Sequence, residues 1–392
     1  YVLLNFNDLS LDSSGAPEDS FDLGDNDENG LVFIDSLRIT NADEAALLGK
    51  VENVPFIGAQ QMREEGSNIP DAEIDAALLD QEGLFFGTSG TVDLLNVAST
   101  DLVGFYENDV GASTIEMAAG GQTLNLELFA DERDNANVSD LKVTGASAIN
   151  IDSVVEEGRS QVDSNVLGLN TASNGTVTIT GNQDLDLTTT TNATVSETGL
   201  TIDASGFGAQ LNVTGTSSRD IIIGSDGNDV LIGGADGDTL DGGAGEDLYV
   251  YENTDHSGSA GTNGIVAATT DADIISAGID VVTFADGDDT IDISPFTSGV
   301  PATVNNASSA GGVDWASGTP STKLDNGEIA VIGAIGGTDV ADDDLFIAFN
   351  NSGNEIEAET NNLNDLEADG VVLLHVQGVA SAAEITTADF AF

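Results

Sequence analysis

The chain has 392 residues, with 69 Asp or Glu against 8 Lys or Arg, for a formal net charge of -61. So acidic a surface has no basic footprint, which excludes nucleic acid and anionic lipid as partners. Cysteine is absent and histidine occurs twice, which removes disulfides, thiolate metal sites and cysteine nucleophiles and leaves little for zinc or imidazole chemistry.

Hydrophobic residues make up 40% of the chain and charged residues only 20%, a balance that favours a folded core over an acidic disordered segment. Aromatics, at 5%, are sparse for a protein built around a ligand pocket. No apolar run approaches the ~20 residues a membrane helix needs. The chain starts at Tyr1 rather than Met, which leaves room for a leader ahead of it.

Residues 1–120 read as a small mixed α+β region. Short apolar runs (YVLLNF, then LVFIDSLRI) flank an acidic loop. Within DNDENGLVFIDS, Asp25, Asp27 and Asn29 hold loop positions one, three and five and Gly30 holds six, the spacing of an EF-hand calcium loop. Position twelve is Ser36 rather than Glu, so a Ca2+ site competes there with an ordinary acidic turn. One or two short helices follow. NADEAALLGK has Asn41 as its cap, and PDAEIDAALLDQEG has Pro70 at a first helical position and Gly83 just past the end.

From Gly121 to Thr214 the helix signals give way to apolar doublets at period two. They include Leu124/Leu126/Leu128, Leu141/Val143, Ile149/Ile151, Val177/Ile179, Leu185/Leu187, Leu200/Ile202 and Leu211/Val213. Alternation of this kind predicts short half-buried strands separated by turns. The threonine cluster Thr188–Thr194 favours strands through β-branching. Either a β-solenoid or a β-sandwich fits the spacing.

Residues 215–250 are four tandem nonapeptides: GTSSRDIII, GSDGNDVLI, GGADGDTLD and GGAGEDLYV. The sixth position is always aspartate (Asp220, Asp229, Asp238, Asp247) and the eighth always a large apolar residue (Ile222, Leu231, Leu240, Tyr249). Glycine-rich turns bend tightly at no steric cost, and the last three residues form a strand with its apolar side chain inward. Coils built this way stack at strand spacing, about 4.8 Å. Aspartates superposed on stacked turns repel by about 1 kcal/mol per pair in water and by more when desolvated. A hard divalent cation reverses that sign, because Ca2+ takes six to eight oxygens and carboxylates with turn carbonyls supply them.

The blocks resemble the G-G-x-G-x-D-x-U-x calcium-binding repeat of the RTX family. The first repeat lacks both inner glycines, and the third has Asp236 where glycine is expected. The resemblance implies a parallel β-roll binding several Ca2+ ions. Each ion would be shared by turns two repeats apart, pairing Asp220 with Asp238 and Asp229 with Asp247. Carbonyls would come from Gly224, Gly227, Gly233, Gly242 and Gly245, with Asp226 and Asp236 as further acidic candidates in the turns. The expected fold is therefore dominated by β structure, a parallel β-roll within a larger β-solenoid or β-sandwich assembly.

Residues 251–392 read as a C-terminal β domain. GIDVVTFADGDDTIDIS (Gly278–Ser294) is similar to the strand that follows RTX repeats, with Asp286, Asp288 and Asp289 placed either to bind a further ion or to form a surface turn. The final stretch, VVLLHVQGVASAAEITTADFAF, resembles the uncleaved signal of type I secretion substrates, with Asp389 beside Phe390 and Phe392. A last strand of the fold is compatible with the same residues.

Neither His256 nor His375 lies in H-E-x-x-H, and Gly87-Thr88-Ser89-Gly90 lacks the spacing of G-x-S-x-G. A single Trp315 argues against a sugar-cleaving cleft. An enzyme is not expected. The Thr-, Gly- and Asn-rich doublets leading into RTX repeats resemble surface-layer proteins secreted by type I systems. That resemblance implies a calcium-dependent protein outside, or on the surface of, a Gram-negative cell, self-assembling with copies of itself and contacting a cell-surface polysaccharide. An adhesin for cells or glycans is the alternative, with a secreted hydrolase behind it.

Overall fold

The computed structural model describes residues 36–39, 56–60, 71–78, 83–87, 90–106, 109–130, 135–155, 163–172, 174–191, 198–251, 279–285, 289–294, 303–306, 323–324, 328–332, 345–350, 356–357, 371–379 and 385–391. The chain divides into two compact units, Tyr1–Asp186 and Leu187–Phe392.

In the first unit successive strands alternate between two sheets, one strand per sheet for each coil. One sheet runs Ser36–Ile39, Asp71–Asp75, Val92–Val97, Ser113–Met117, Asn137–Thr144, Asn165–Thr171. The other runs Phe56–Gln60, Gly83–Gly87, Leu102–Tyr106, Gln122–Ala130, Ala146–Val155, Thr176–Gly181. Pairing in both is parallel. A chain that returns to the same sheet one coil later, in parallel and in register, is a β-solenoid. Sandwich sheets are antiparallel, so the parallel ladders decide between the two architectures in favour of the solenoid.

The period-two pattern explains the core. In Gln122–Ala130, Leu124, Leu126 and Leu128 are buried while the residues between them are partly exposed. Register then stacks like on like: Val103, Leu126, Ile151 and Ile179 form one column, and Phe86, Phe105 and Leu128 another. Each buried aliphatic side chain contributes about 1.5–3 kcal/mol. Where the second column reaches Ser153 the hydroxyl is buried, and it donates to the Gln183 carbonyl at 2.8 Å and accepts from Asn165 Nδ2 at 3.0 Å. The polar interruption is satisfied.

One expected helix is corrected. The described residues of 70–83 do not form the expected helix: Asp71–Asp75 is a strand, Ala76–Leu78 a single 3-10 turn, and Gly83 opens the next strand. The stretch DAEIDA alternates as well as it repeats at helical period, and Ala72, Ile74 and Ala76 point into the core. Pairing on both sides, with Ser36–Ile39 and Val92–Val97, outweighs the helix propensity of alanine, glutamate and leucine. The other expected helix, at 41–50, lies outside the described residues, as does YVLLNF.

The second unit continues the two-sheet alternation with shorter strands. Leu211–Thr214, Val230–Ile232, Leu248–Val250, Thr290–Asp292 and Phe390–Ala391 follow one another in one sheet. Thr201–Asp203, Ile221–Ile223, Thr239–Asp241, Asp280–Thr283 and Val371–Gln377 do so in the other, all in parallel. Beyond Val371–Gln377 the sheet turns antiparallel through Leu345–Asn350 and Glu328–Ile332, then ends in parallel on Thr303–Asn306.

Candidate metal centre

Each nonapeptide folds as a turn followed by a three-residue strand, the turn being glycine-rich in all but the first. The eighth-position side chains Ile222, Leu231, Leu240 and Tyr249 are at most 1% exposed. Because consecutive coils feed different sheets, the neighbour in a sheet is the repeat after next: Ile222 stacks on Leu240 and Leu231 on Tyr249. The turns stack equally tightly. A Cβ on Gly245 would collide with the Gly227 carbonyl oxygen, and its φ of +123° is one that L side chains rarely adopt. Asp236, in the corresponding place of the third repeat, takes φ 67°, a left-handed conformation that aspartate tolerates. The Gly233 and Gly242 carbonyls face the α-carbons of Gly215 and Gly224 in the same fashion.

The sixth-position aspartates turn inward rather than out to solvent, and all four are at most 2% exposed. They form two ladders. In one, the Asp220 N–H donates to Asp238 Oδ1 at 2.7 Å and the Asp238 N–H to Asp280 Oδ1 at 2.9 Å. In the other, the Asp229 N–H donates to Asp247 Oδ1 at 2.9 Å and the Asp247 N–H to Asp289 Oδ1 at 3.1 Å. Each carboxylate thus caps the backbone of the aspartate one rung earlier. The ladders begin at apolar residues, where Leu200 and Leu211 donate to Oδ1 of Asp220 and Asp229.

The second oxygen of each carboxylate separates the repeats into two kinds. Asp220 Oδ2 accepts from the Thr216 N–H, and Thr216 Oγ1 donates to Oδ1. Asp229 and Ser225 repeat this arrangement, with the hydroxyl at 2.9 Å. In the third and fourth repeats the second position is Gly234 or Gly243, which has no hydroxyl. There Asp238 Oδ2 and Asp247 Oδ2 are buried without a hydrogen-bond partner, and so is Asp280 Oδ2. The Tyr251 hydroxyl lies beside the Asp280 carboxylate, outside hydrogen-bond geometry but near enough to favour its charge.

These environments hold the carboxyls above their ordinary range. Burial raises Asp220 to about 6 against the opposing hydrogen bonds from Leu200 and Thr216. Burial raises Asp247 to about 7, with the charges of Asp289, Asp229 and Asp241 adding to it against the hydrogen bond from Asp229. Asp238 rises through burial and then through the charge of Asp280, and Asp280 rises through burial. Stacked, buried carboxylates with an unpaired oxygen are the donor chemistry a hard cation requires. Among the described residues no three acidic or histidine side chains converge on one point.

The structure brings Asp220 to Asp238 and Asp229 to Asp247, as the RTX resemblance implies. Asp226 and Asp236 stay exposed at the turn surface, outside the ladders. Asp25, Asp27, Asn29, Asp286 and Asp288 lie outside the described residues. Asp280 escaped the sequence reading. Its signal was present, since I-S-A-G-I-D-V-V-T (Ile275–Thr283) and F-A-D-G-D-D-T-I-D (Phe284–Asp292) keep glycine at four, aspartate at six and an apolar residue at eight.

Parallel short-strand coils with acid-bearing glycine turns define a β-roll. Residues 214–249 match the family model of the RTX calcium-binding nonapeptide repeat, in four copies. These repeats bind Ca2+. No curated protein matches the chain.

Proposed function

We propose that the protein is a secreted structural protein whose roll folds on Ca2+ and which then assembles with copies of itself into a surface layer or filament outside the cell. In this reading the unpartnered Oδ2 atoms of Asp238 and Asp247 are ion ligands. Asp220 and Asp229 complete the stacked pairs, and carbonyls of Gly224, Gly227, Gly233, Gly242 and Gly245 fill the coordination shell.

The observation that carries it is the burial of unpaired carboxylate oxygens in a stack. At cytosolic Ca2+ levels their repulsion and desolvation keep the roll unformed, the state an export channel needs. Millimolar Ca2+ outside saturates even weak extracellular-type sites. The charge of -61 forces copies apart, so assembly depends on cations that screen or bridge them. The parallel coils within each unit supply a regular hydrogen-bonded framework.

Electron microscopy of the purified protein tests this directly. Lattices or filaments are expected at millimolar Ca2+ and should dissolve in chelator. Monomers persisting at millimolar Ca2+ would rule out assembly, and binding of such monomers to cells or glycans would favour an adhesin.

A further inference from the structure

The family match ends at residue 249, yet the roll does not end there. Residues 252–278 intervene, and the chain then rejoins the same two ladders at Asp280 and Asp289, across 42 residues rather than 18. Register is kept across the gap. Thr239 pairs with Val281 and Leu240 with Val282, and the Val281 N–H donates to the Asp238 carbonyl at 2.8 Å. On the other sheet Leu248 pairs with Thr290 and Tyr249 with Ile291. The Tyr249 hydroxyl pins the seam further, accepting from the Gly242 N–H and donating to the Thr283 carbonyl.

We propose that the Asp238–Asp280 seam is itself a Ca2+ site, formed by Asp238 Oδ2, Asp280 Oδ2 and the Tyr251 hydroxyl. It staples the rejoining segment 279–284 to the roll. The proposal rests on the reading above that unpartnered stacked carboxylates hold Ca2+. Both aspartates are 0% exposed and Tyr251 is 1% exposed, and all three oxygens named are without a hydrogen-bond partner. The backbone N–H of the second turn residue, which donates to Oδ2 of Asp220 and of Asp229, makes no such bond to Asp238 Oδ2. The remaining oxygens of a Ca2+ shell come from turn carbonyls and water.

The site has a consequence the four matched repeats lack. Asp280–Thr283 is the strand on which Val371–Gln377 pairs, with Val281 opposite His375 and Val282 opposite Val376. An ion at the seam therefore governs whether that strand docks on the roll.

The test is Ca2+ binding to the full chain by equilibrium dialysis, with hydrogen exchange read at 371–377. Asp280→Asn is expected to lose one equivalent of Ca2+ and the protection of 371–377. Asp247→Asn is expected to lose Ca2+ while keeping that protection. A wild-type Ca2+ count in Asp280→Asn, beside a loss in Asp247→Asn, overturns the seam site alone. Unchanged counts in both overturn the reading beneath it. Should Asp280→Asn fail to fold, Tb3+ replaces Ca2+ in the wild-type chain and in Tyr251→Phe, with excitation at tyrosine. A fall in sensitised emission supports the site, and equal emission overturns it.

Discussion

Two stretches of parallel coil, 90–155 in the first unit and 198–251 in the second, obey the same rules and reach stability differently. Strands of the first stretch run to 9 and 10 residues at Gln122–Ala130 and Ala146–Val155, and each sends several aliphatic side chains into stacked columns. Its buried polar residues are neutral, such as Ser113 and Ser153, and no buried acid occurs in the first unit among the described residues. The four nonapeptide coils of the second stretch have three-residue strands with one inward apolar side chain each, and they bury Asp220, Asp229, Asp238 and Asp247 beside it. A long coil can offset its own ordering entropy by apolar burial, whereas a short one cannot. In the proposed reading, placing acids where a longer coil would place leucine makes the short coil conditional on a cation.

That contrast can be broken most severely at a turn. Gly245→Val puts a β-branched side chain at φ +123°, against the Gly227 carbonyl. It should abolish the Ca2+-induced gain in circular dichroism while leaving the first unit folded, which limited proteolysis of the full chain would reveal. Ile151→Ala cuts the opposite way. It opens a cavity in the Val103–Leu126–Ile151–Ile179 column and should cost ~2–5 kcal/mol in denaturant melts, with or without Ca2+.

Within the roll, Asp247→Asn should lower both Ca2+ stoichiometry and melting temperature more than Asp229→Asn. Asp247 Oδ2 has no protein partner, whereas both oxygens of Asp229 accept hydrogen bonds that hold without an ion. Equal effects would erase the distinction between the two kinds of repeat.

The smallest effect is that of pH on the Ca2+-free protein. Asp220 and Asp247 have folded-state values raised from 3.8 to about 6 and about 7, so the folded roll binds more protons than the unfolded chain between those limits. Stability therefore falls as pH rises from about 4 to about 7, and the gain on adding Ca2+ grows over the same window. Melting temperatures at pH 4.5 and 7.5, with chelator and with Ca2+, measure both trends.

Much of this was legible beforehand because it rests on local periodicity. The doublets Leu124/Leu126 and Ile149/Ile151 alternate, so strands follow; the resemblance of the nonapeptides to RTX repeats implies that Asp220 meets Asp238. Failures came where periodicity was ambiguous or interrupted. DAEIDAALLD satisfies both helical and alternating patterns, and only pairing with neighbouring strands decides between them. Asp280 sits beyond residues 252–278 in a repeat without its first two glycines, so its rung became visible only through the hydrogen bond from Asp238. The difference between Thr216 or Ser225 and Gly234 or Gly243 is visible in the sequence too. Its meaning depends on carboxylates facing inward, which is a fact of packing.

Hydrogen exchange of the full chain, with millimolar Ca2+ and then with chelator, is the most direct test that the cation holds up the short coils alone. Amides of Asp220, Asp229, Asp238 and Asp247 should exchange orders of magnitude faster in chelator, while those of Leu126 and Ile151 keep their protection. Protection at the four aspartates that is indifferent to chelator would contradict the account.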